Sequence, residues 1–380
     1  MNVLVLTPDR VGSTLLQRLI TVYMAADPGY DRPVINLHEL TNGLLKYYNE
    51  SFHREVLGKP NFNSWGYYQT LPEILELLST TDHYKTARLT HYHIRARNDS
   101  IADQVPFYQY LNDNFYIISA RRDNLLEHGL SWCIQNESKR LNVYSHQEKL
   151  EIFQRLYRNR ITVNLESFRN YLGMYRDYLS WVDQYFRVNS VFHYDRHMTD
   201  LETYVRGLNI WPTAQRQTWA DIFGIDFETW NRCHYLLSDL SGIGQQLPGS
   251  AEQLKLTWSG ETSDLALHSV SQEHIPATLT QGDQQLLVQH GQQYRQVSDA
   301  ISELVERKVM VTGVPIKLQT LLEKRLLIEN FDQVVAEYNE LVTSDTSGLK
   351  GCGPVYNHSE LNQISLDEIR SWHVVPKLTG

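Results

Sequence analysis

A short apolar segment near the start of the chain is followed by turn-forming residues and then by a helical pattern. Residues 3–6 are continuously apolar, as in a strand that is buried on both faces of a parallel sheet. Residues 7–13 contain Pro, Asp, Gly and Ser, which indicate a turn. Apolar side chains then recur at helical spacing, at Leu16, Leu19, Ile20 and Tyr23. The segment therefore predicts a strand, a tight loop and a helix, a unit that is typical of α/β proteins.

The start of this predicted helix suits a phosphate group. Backbone N–H groups at a helix N-terminus have no partner within the helix, and the helix dipole adds positive potential there. Arg10 adds a charge, and Ser13 and Thr14 add hydroxyl donors. The loop is not the ATP- or GTP-binding G-x-x-x-x-G-K-[ST], because Ser13 follows Gly12 directly and the basic residue precedes the glycine. An ordinary strand-turn-helix corner would show the same local pattern.

A second strand-to-helix corner carries two arginines. The apolar run Phe-Tyr-Ile-Ile-Ser predicts a buried strand, and Arg121 and Arg122 follow it closely. Asp123 or Asn124 is a suitable N-cap for the helix that the next apolar residues predict, and Ser131 falls two to three turns along that helix. The planar fork of an arginine can make bidentate bonds to a phosphate, although surface ion pairs are a common alternative use.

Two histidines follow a third predicted strand. Residues 84–90 contain β-friendly residues in partial alternation, and His91 and His93 come at the carboxyl end of this segment. Ligands bind at that end of the strands in open α/β sheets. Hydrogen-bonded loop histidines are the plain alternative, and a metal site at His91 and His93 would need a third ligand that the sequence does not reveal.

The first corner resembles the 5′-phosphate-binding loop of sulfotransferases that use 3′-phosphoadenosine 5′-phosphosulfate (PAPS). In that family a Lys or Arg precedes a short Ser/Gly/Thr run and then a helix, as in Arg10, Val11, Gly12, Ser13 and Thr14. The second corner is similar to the family's 3′-phosphate segment, in which an Arg after a strand and a Ser on the next helix hold the extra phosphate. The two corners are about a hundred residues apart, with a histidine-bearing strand end between them, and this order matches the family.

This resemblance implies direct in-line transfer of the sulfuryl group from PAPS to a hydroxyl or amine, without a metal. Arg10 would lie near the 5′-phosphate and the bridging oxygen, and residues 11–14 would hold the 5′-phosphate. Arg121, Arg122 and Ser131 would hold the 3′-phosphate. The adenine contact is unassigned, because Leu15 and Leu16 stand where many family members have an aromatic residue.

The resemblance also implies that a histidine is the general base. Family members often have Lys-Thr-His at the end of the corresponding strand. Lys85 and Thr86 begin in the same way, but the histidines come later here. His91 is therefore the first choice for the residue that takes the acceptor proton, and His93 is the second.

The implied fold is α/β, with a P-loop-like parallel sheet flanked by helices (the sulfotransferase fold), over residues 1–240. A mainly helical extension, residues 241–380, is expected to pack on this core, with amphipathic helices over 286–305 and 318–341. Residues 27–70 are rich in Asn, Gly, Pro and aromatic residues, so we expect irregular structure with short helices there. Tyr194 and Asp195 resemble a corner with a structural role late in the family's core.

Composition limits the classes of binding partner and the cellular compartment that we expect. The net charge of −9 argues against a general nucleic-acid or anionic-membrane binder, and no apolar stretch is long enough to span a bilayer. Three scattered cysteines form no metal-ligand pattern and leave one unpaired in any disulfide scheme, and the first apolar run is too short for a signal peptide. We therefore expect a cytoplasmic protein, and the resemblance implies an acceptor that is a small molecule or a carbohydrate.

Two other functions fit parts of the sequence. A nucleotide kinase with a divergent phosphate loop would bind ATP with Mg²⁺, but the missing G-K-[ST] counts against it. A non-catalytic binding or structural protein could retain the same fold without turnover.

Overall fold

The apolar segments found in the sequence form the centre of an α/β fold. The computed structural model describes residues 1–32, 34–41, 70–80, 83–97, 99–138, 155–156, 158–213, 218–223 and 318–371. Up to the fourth strand, the elements are β1 (Asn2–Thr7), α1 (Ser13–Ala26), β2 (Val34–Glu39), α2 (Leu71–Thr80), β3 (Tyr84–Thr90), α3 (His91–Ala96), α4 (Ile101–Asn114) and β4 (Phe115–Arg121).

The rest of the described chain is mainly helical. Its elements are α5 (Leu125–Ser138), α6 (Leu165–Tyr185), β5 (Ser190–His193), α7 (Tyr194–His197), α8 (Leu201–Gly207), α9 (Trp219–Phe223), α10 (Leu318–Leu327), α11 (Phe331–Thr343), α12 (His358–Leu361) and α13 (Leu366–Ser371). Among all the residues that the structure describes, no helix is both long enough and apolar enough to cross a membrane.

The described strands form one five-stranded parallel sheet in the order β2-β3-β1-β4-β5. Strand β1 is central, and Leu4, Val5 and Leu6 are fully buried, which explains why residues 3–6 show no alternation of apolar and polar side chains. The connection after β1 leads to β2 at one edge of the sheet, whereas the connection after β4 leads to β5 at the other edge. The neighbouring carboxyl ends of β1 and β4 therefore form a topological switch point, where open α/β sheets bind ligands. The parallel α/β sheet flanked by helices is confirmed.

The expectation of irregular structure over residues 27–70 is wrong at Val34–Glu39, which form strand β2. This strand pairs in parallel with β3, and the partner strand supplies the hydrogen bonds. Asn36 and His38 weaken the local strand signal, so tertiary pairing decides the conformation. Residues 42–69 lie outside the described part of the chain.

The described boundaries of α6, α10 and α11 have local causes. Helix α6 begins at Leu165, and the Asn164 side chain accepts a hydrogen bond from the Ser167 N–H at its start. The stretch 318–341 is divided into α10 and α11, because Ile328 leaves the helix to pair with Ile161. The predicted helix 286–305 lies outside the described residues.

The chain divides into two units. The first contains residues 1–121 and 177–287, including the whole described sheet, and the second contains residues 122–176 and 288–380. The described C-terminal residues 318–371 are helical for most of their length. The predicted boundary near residue 240 lies outside the described residues and stays a prediction.

Candidate functional site

The loop between β1 and α1 has two residues in the left-handed backbone region. Gly12, the N-cap of α1, has φ +68°, and Arg10 has φ +63°. A Cβ at Gly12 would lie 3.1 Å from ring carbons of Tyr194 and 3.2 Å from Met198 Sδ. Glycine is therefore favoured at this position both by backbone conformation and by the close approach of Tyr194 and Met198. The Val11 side chain is buried in the core, so only its backbone can face a ligand.

The hydroxyl groups of this loop contact a basic residue that the sequence analysis did not select. Arg88 lies on β3, and its Nη1 donates to Thr14 Oγ1 at 2.6 Å and to Ser13 Oγ at 3.3 Å. Arg10 is exposed at the surface of the loop. The predicted phosphate loop thus combines the N-terminus of a 14-residue helix, two hydroxyl groups and two arginines. A basic residue inside a mostly buried strand is the signal that could have identified Arg88.

The two candidate histidines lie beside this loop. Thr7 and Thr90 are paired in register, so the β1–α1 loop and the residues after β3 leave the sheet at the same level on neighbouring strands. His91 and His93 lie at the start of helix α3. The His91 ring packs against Trp181, with 5.1 Å between ring centroids.

The two rings have different electrostatic surroundings. Burial of His91 is the larger cause of its shifted pKa, and the positive charge of Arg95 is the smaller one. Together they lower the pKa of His91 to about 4, so this imidazole is neutral at pH 7. His93 Nδ1 instead lies 3.7 Å from Glu39 Oε1. Glu39 is buried at the end of β2, and its carboxylate also accepts hydrogen bonds from the backbone N–H and the hydroxyl of Thr90.

We expect the low pKa of His91 to be measurable directly. In NMR spectra recorded against pH, the His91 ring, assigned with His91→Asn, should titrate near pH 4. Arg95→Gln should move that titration upwards because it removes a nearby positive charge, whereas Arg187→Gln, which alters an exposed arginine paired with Asp113, should not.

This titration also affects stability. The unfolded chain binds the proton at about pH 6.5 and the folded chain only at about pH 4, so the free energy of unfolding falls as the pH drops through that window. A wild-type His91 that titrates near pH 6.5 would contradict the structure around this ring.

Arg121 lies at the second corner, at the end of β4. Its Nε donates to Ser119 Oγ at 3.3 Å, and its Nη2 lies 3.6 Å from Asp183 Oδ1. The hydroxyl of buried Tyr178 is 3.0 Å from Leu6 O and 2.9 Å from Ala120 O, so it joins the carboxyl ends of β1 and β4. The half-buried Arg121 guanidinium therefore leaves the sheet one strand away from the β1–α1 loop.

Arg122 has a different environment, within the second unit. It is buried, and its Nη2 lies 2.6 Å from Glu127 Oε1, which also accepts from Lys324 Nζ at 2.8 Å. Asn124 accepts a hydrogen bond from the Glu127 N–H, and this confirms Asn124 as the cap of helix α5. Ser131 is half-buried on α5. The guanidinium of Arg122 is thus engaged by a buried carboxylate, and Arg122 and Ser131 as phosphate ligands stay predictions.

Comparison with known proteins gave no match: no protein-family model, curated protein or solved structure corresponds significantly to this chain. Among the described residues, no group of three or more His, Cys, Asp or Glu side chains is arranged to hold a metal ion. The function is therefore argued from the geometry at the ends of β1, β3 and β4 and from the sequence motifs found there.

Proposed function

We propose that this chain is a sulfotransferase that moves the sulfuryl group of PAPS to a hydroxyl or amine acceptor, leaving 3′-phosphoadenosine 5′-phosphate (PAP). The observation that carries the proposal is the placement of β3 beside β1. Arg88 on β3 contacts the loop hydroxyls, and the same strand leads directly into His91 and His93. The loop that we propose to bind the anion and the candidate base lie at the ends of two neighbouring strands.

The residues present fit the 5′ end of PAPS. Gly12 permits the loop to turn beneath Tyr194, and the first N–H groups of α1 are free of intrahelical partners by the geometry of any helix. The hydroxyls of Ser13 and Thr14 and the guanidinium of Arg10 add further donors. When bound, PAPS supplies an activated sulfuryl group, and the residues of the chain would position it and offset the charge that develops during transfer.

For the 3′-phosphate, the proposal rests on Arg121. Its side chain is about a third exposed and, among the described residues, is held by a long hydrogen bond to Ser119 and a distant contact with Asp183. A phosphate can compete with such contacts, because bidentate arginine–phosphate bonds are stronger. The proposal does not depend on Arg122 or Ser131.

For the base, the electrostatics favour His93 over His91, the reverse of the order preferred from sequence. A general base gains a positive charge when it takes the acceptor proton. At His91, burial and the Arg95 charge oppose that charge, whereas at His93 the Glu39 carboxylate faces the ring at 3.7 Å and can balance it. We therefore assign the acceptor proton to His93 and keep His91 as the second choice.

Thermal unfolding with ligands tests the cofactor assignment. PAP should raise Tm by at least about 2 °C at about 100 times its Kd, because a ligand that binds only the folded state stabilises it by mass action. The shift should be much smaller in Arg10→Ala and Arg121→Ala. Arg187→Ala is the matched control, since this exposed arginine precedes β5 at the opposite, amino-terminal edge of the sheet.

The other candidate functions predict different results in the same experiment. A shift with ATP–Mg²⁺ and none with PAP would support a kinase and contradict the sulfotransferase assignment. No shift with either ligand, in folded protein, would contradict both enzymes and favour a non-catalytic protein.

A further inference from the structure

We propose that Arg88 is a positioning residue that turns the hydroxyls of Ser13 and Thr14 into hydrogen-bond donors towards a bound anion. The inference deepens the proposed function and rests on it, because the anion is taken to be the 5′-phosphate of PAPS. It assigns to the loop a preference for oxyanions whose oxygens all act as acceptors.

The direction of the hydrogen bonds carries this inference. A hydroxyl group has one hydrogen to donate and two lone pairs with which to accept. Because a guanidinium has no lone pair to offer, both contacts of Arg88 Nη1 are donated to the hydroxyl oxygens, at 2.6 Å for Thr14 and 3.3 Å for Ser13. Each hydroxyl hydrogen must therefore point away from Arg88.

The hydroxyl hydrogens then need an acceptor. Ser13 is only 6 % exposed, and a buried polar hydrogen without a partner is costly. Within the described residues, neither hydroxyl donates to another protein group. Both side chains belong to the first turn of α1, whose backbone N–H groups are also donors. An anion at the helix N-terminus would accept from all of these groups.

The charges around Arg88 agree with this role. Asp9 and Arg10 are the neighbouring charged groups of the loop, and Glu39 and His93 approach from the ends of β2 and β3. Burial raises the pKa of Asp9, which favours its neutral form and reduces its repulsion of an approaching anion. Arg88 supplies a fixed positive charge from a strand, so its position is set by the sheet rather than by the loop.

A double-mutant cycle tests the inference in the full chain. Calorimetry gives Kd for PAP and for adenosine 3′-phosphate, which lacks the 5′-phosphate, in wild type, Arg88→Met, Thr14→Val and the double variant. Arg88→Met should weaken PAP about tenfold or more and leave adenosine 3′-phosphate within about twofold. The double variant should bind PAP within about threefold of Arg88→Met, because the Thr14 hydroxyl is no longer oriented once Arg88 is gone.

Additive losses in the cycle would overturn the inference, since Arg88 and Thr14 would then bind the anion independently. Equal losses for PAP and adenosine 3′-phosphate would also overturn it, because they would indicate a general structural defect. If Arg88→Met does not fold, Arg88→Gln, which has a shorter and uncharged side chain, takes its place in the cycle.

Inorganic pyrophosphate separates this inference from the proposed function. If wild type binds pyrophosphate but not PAP, the sulfotransferase assignment fails, and the cycle is run with pyrophosphate. Non-additive losses in that cycle would support the role of Arg88, and additive losses would overturn it. A wild-type protein that binds neither PAP nor pyrophosphate would overturn both proposals.

Discussion

Gly12→Ala is expected to weaken PAP binding by at least about tenfold and to lower the free energy of unfolding by about 1–2 kcal/mol. The reason is conformational and steric. Gly12 has φ +68°, a region that is unfavourable for alanine, and the new Cβ would lie 3.1 Å from the Tyr194 ring and 3.2 Å from Met198 Sδ. The loop would have to move away from α7, and its donors would no longer converge on one anion. Calorimetry with PAP and urea unfolding measure the two effects.

Gly173→Ala is the matched control for this variant. Gly173 lies inside helix α6, and apart from the backbone of that helix no described residue has an atom within 4 Å of the position its Cβ would take. Alanine there should stabilise the helix by about 0.5–1 kcal/mol and leave PAP binding unchanged. If Gly12→Ala bound PAP as tightly as wild type, the loop would not be the phosphate site.

Glu127→Ala is expected to have the largest effect on stability, about 3–5 kcal/mol less free energy of unfolding. Glu127 faces Arg122 at 2.6 Å and Lys324 at 2.8 Å, and both Glu127 and Arg122 are buried. Removing the carboxylate deletes the negative charge that both Arg122 and Lys324 contact. It also removes the side chain that Asn124 contacts at the start of α5. Urea unfolding followed by tryptophan fluorescence gives the free energy.

Glu137→Ala provides the comparison on the same helix. Glu137 is exposed on α5, so its removal should change the free energy of unfolding by no more than about 0.5 kcal/mol. A loss of less than about 1 kcal/mol in Glu127→Ala would contradict the view that its carboxylate balances a buried arginine.

The parts of the fold that depend on local sequence could be predicted. Strand β3 was expected over residues 84–90 and is found at Tyr84–Thr90. The order of strand, loop and helix at residues 3–24 is also confirmed, because continuous apolar runs, turn residues and helical spacing are local signals.

The parts of the site that depend on neighbouring strands could not be predicted. Glu39 is a candidate site residue because β2 pairs with β3, and this pairing brings its carboxylate to Thr90 and His93. The sequence shows Arg88 as a residue of a predicted strand, whereas the pairing of β3 with β1 brings its side chain into contact with Thr14. The sequence can mark Arg88 as an unusual basic residue in a strand, but the contacts of Arg88 and Glu39 depend on which strands are adjacent.

Arg121 and Arg122 show that the sequence also does not predict the different surroundings of two adjacent residues. The sequence places them side by side after a strand, and the resemblance gives them the same role. In the structure Arg121 contacts Ser119 and Asp183, whereas Arg122 is held by Glu127. Side chains of successive residues leave the chain in different directions, so a motif alone does not say which arginine faces a ligand.

The most direct test of the central claim is PAP release from PAPS in the presence of acceptors. Purified full-length chain is incubated with PAPS and a panel of sugars, phenols and amines, and PAP and sulfated products are quantified by mass spectrometry. We expect at least one acceptor class to be sulfated with equimolar PAP, and the rate to fall at least about a hundredfold in Arg10→Ala and in His93→Asn but not in Arg187→Ala. A folded wild-type protein that releases PAP no faster than Arg10→Ala across the whole panel would contradict the assignment as a sulfotransferase.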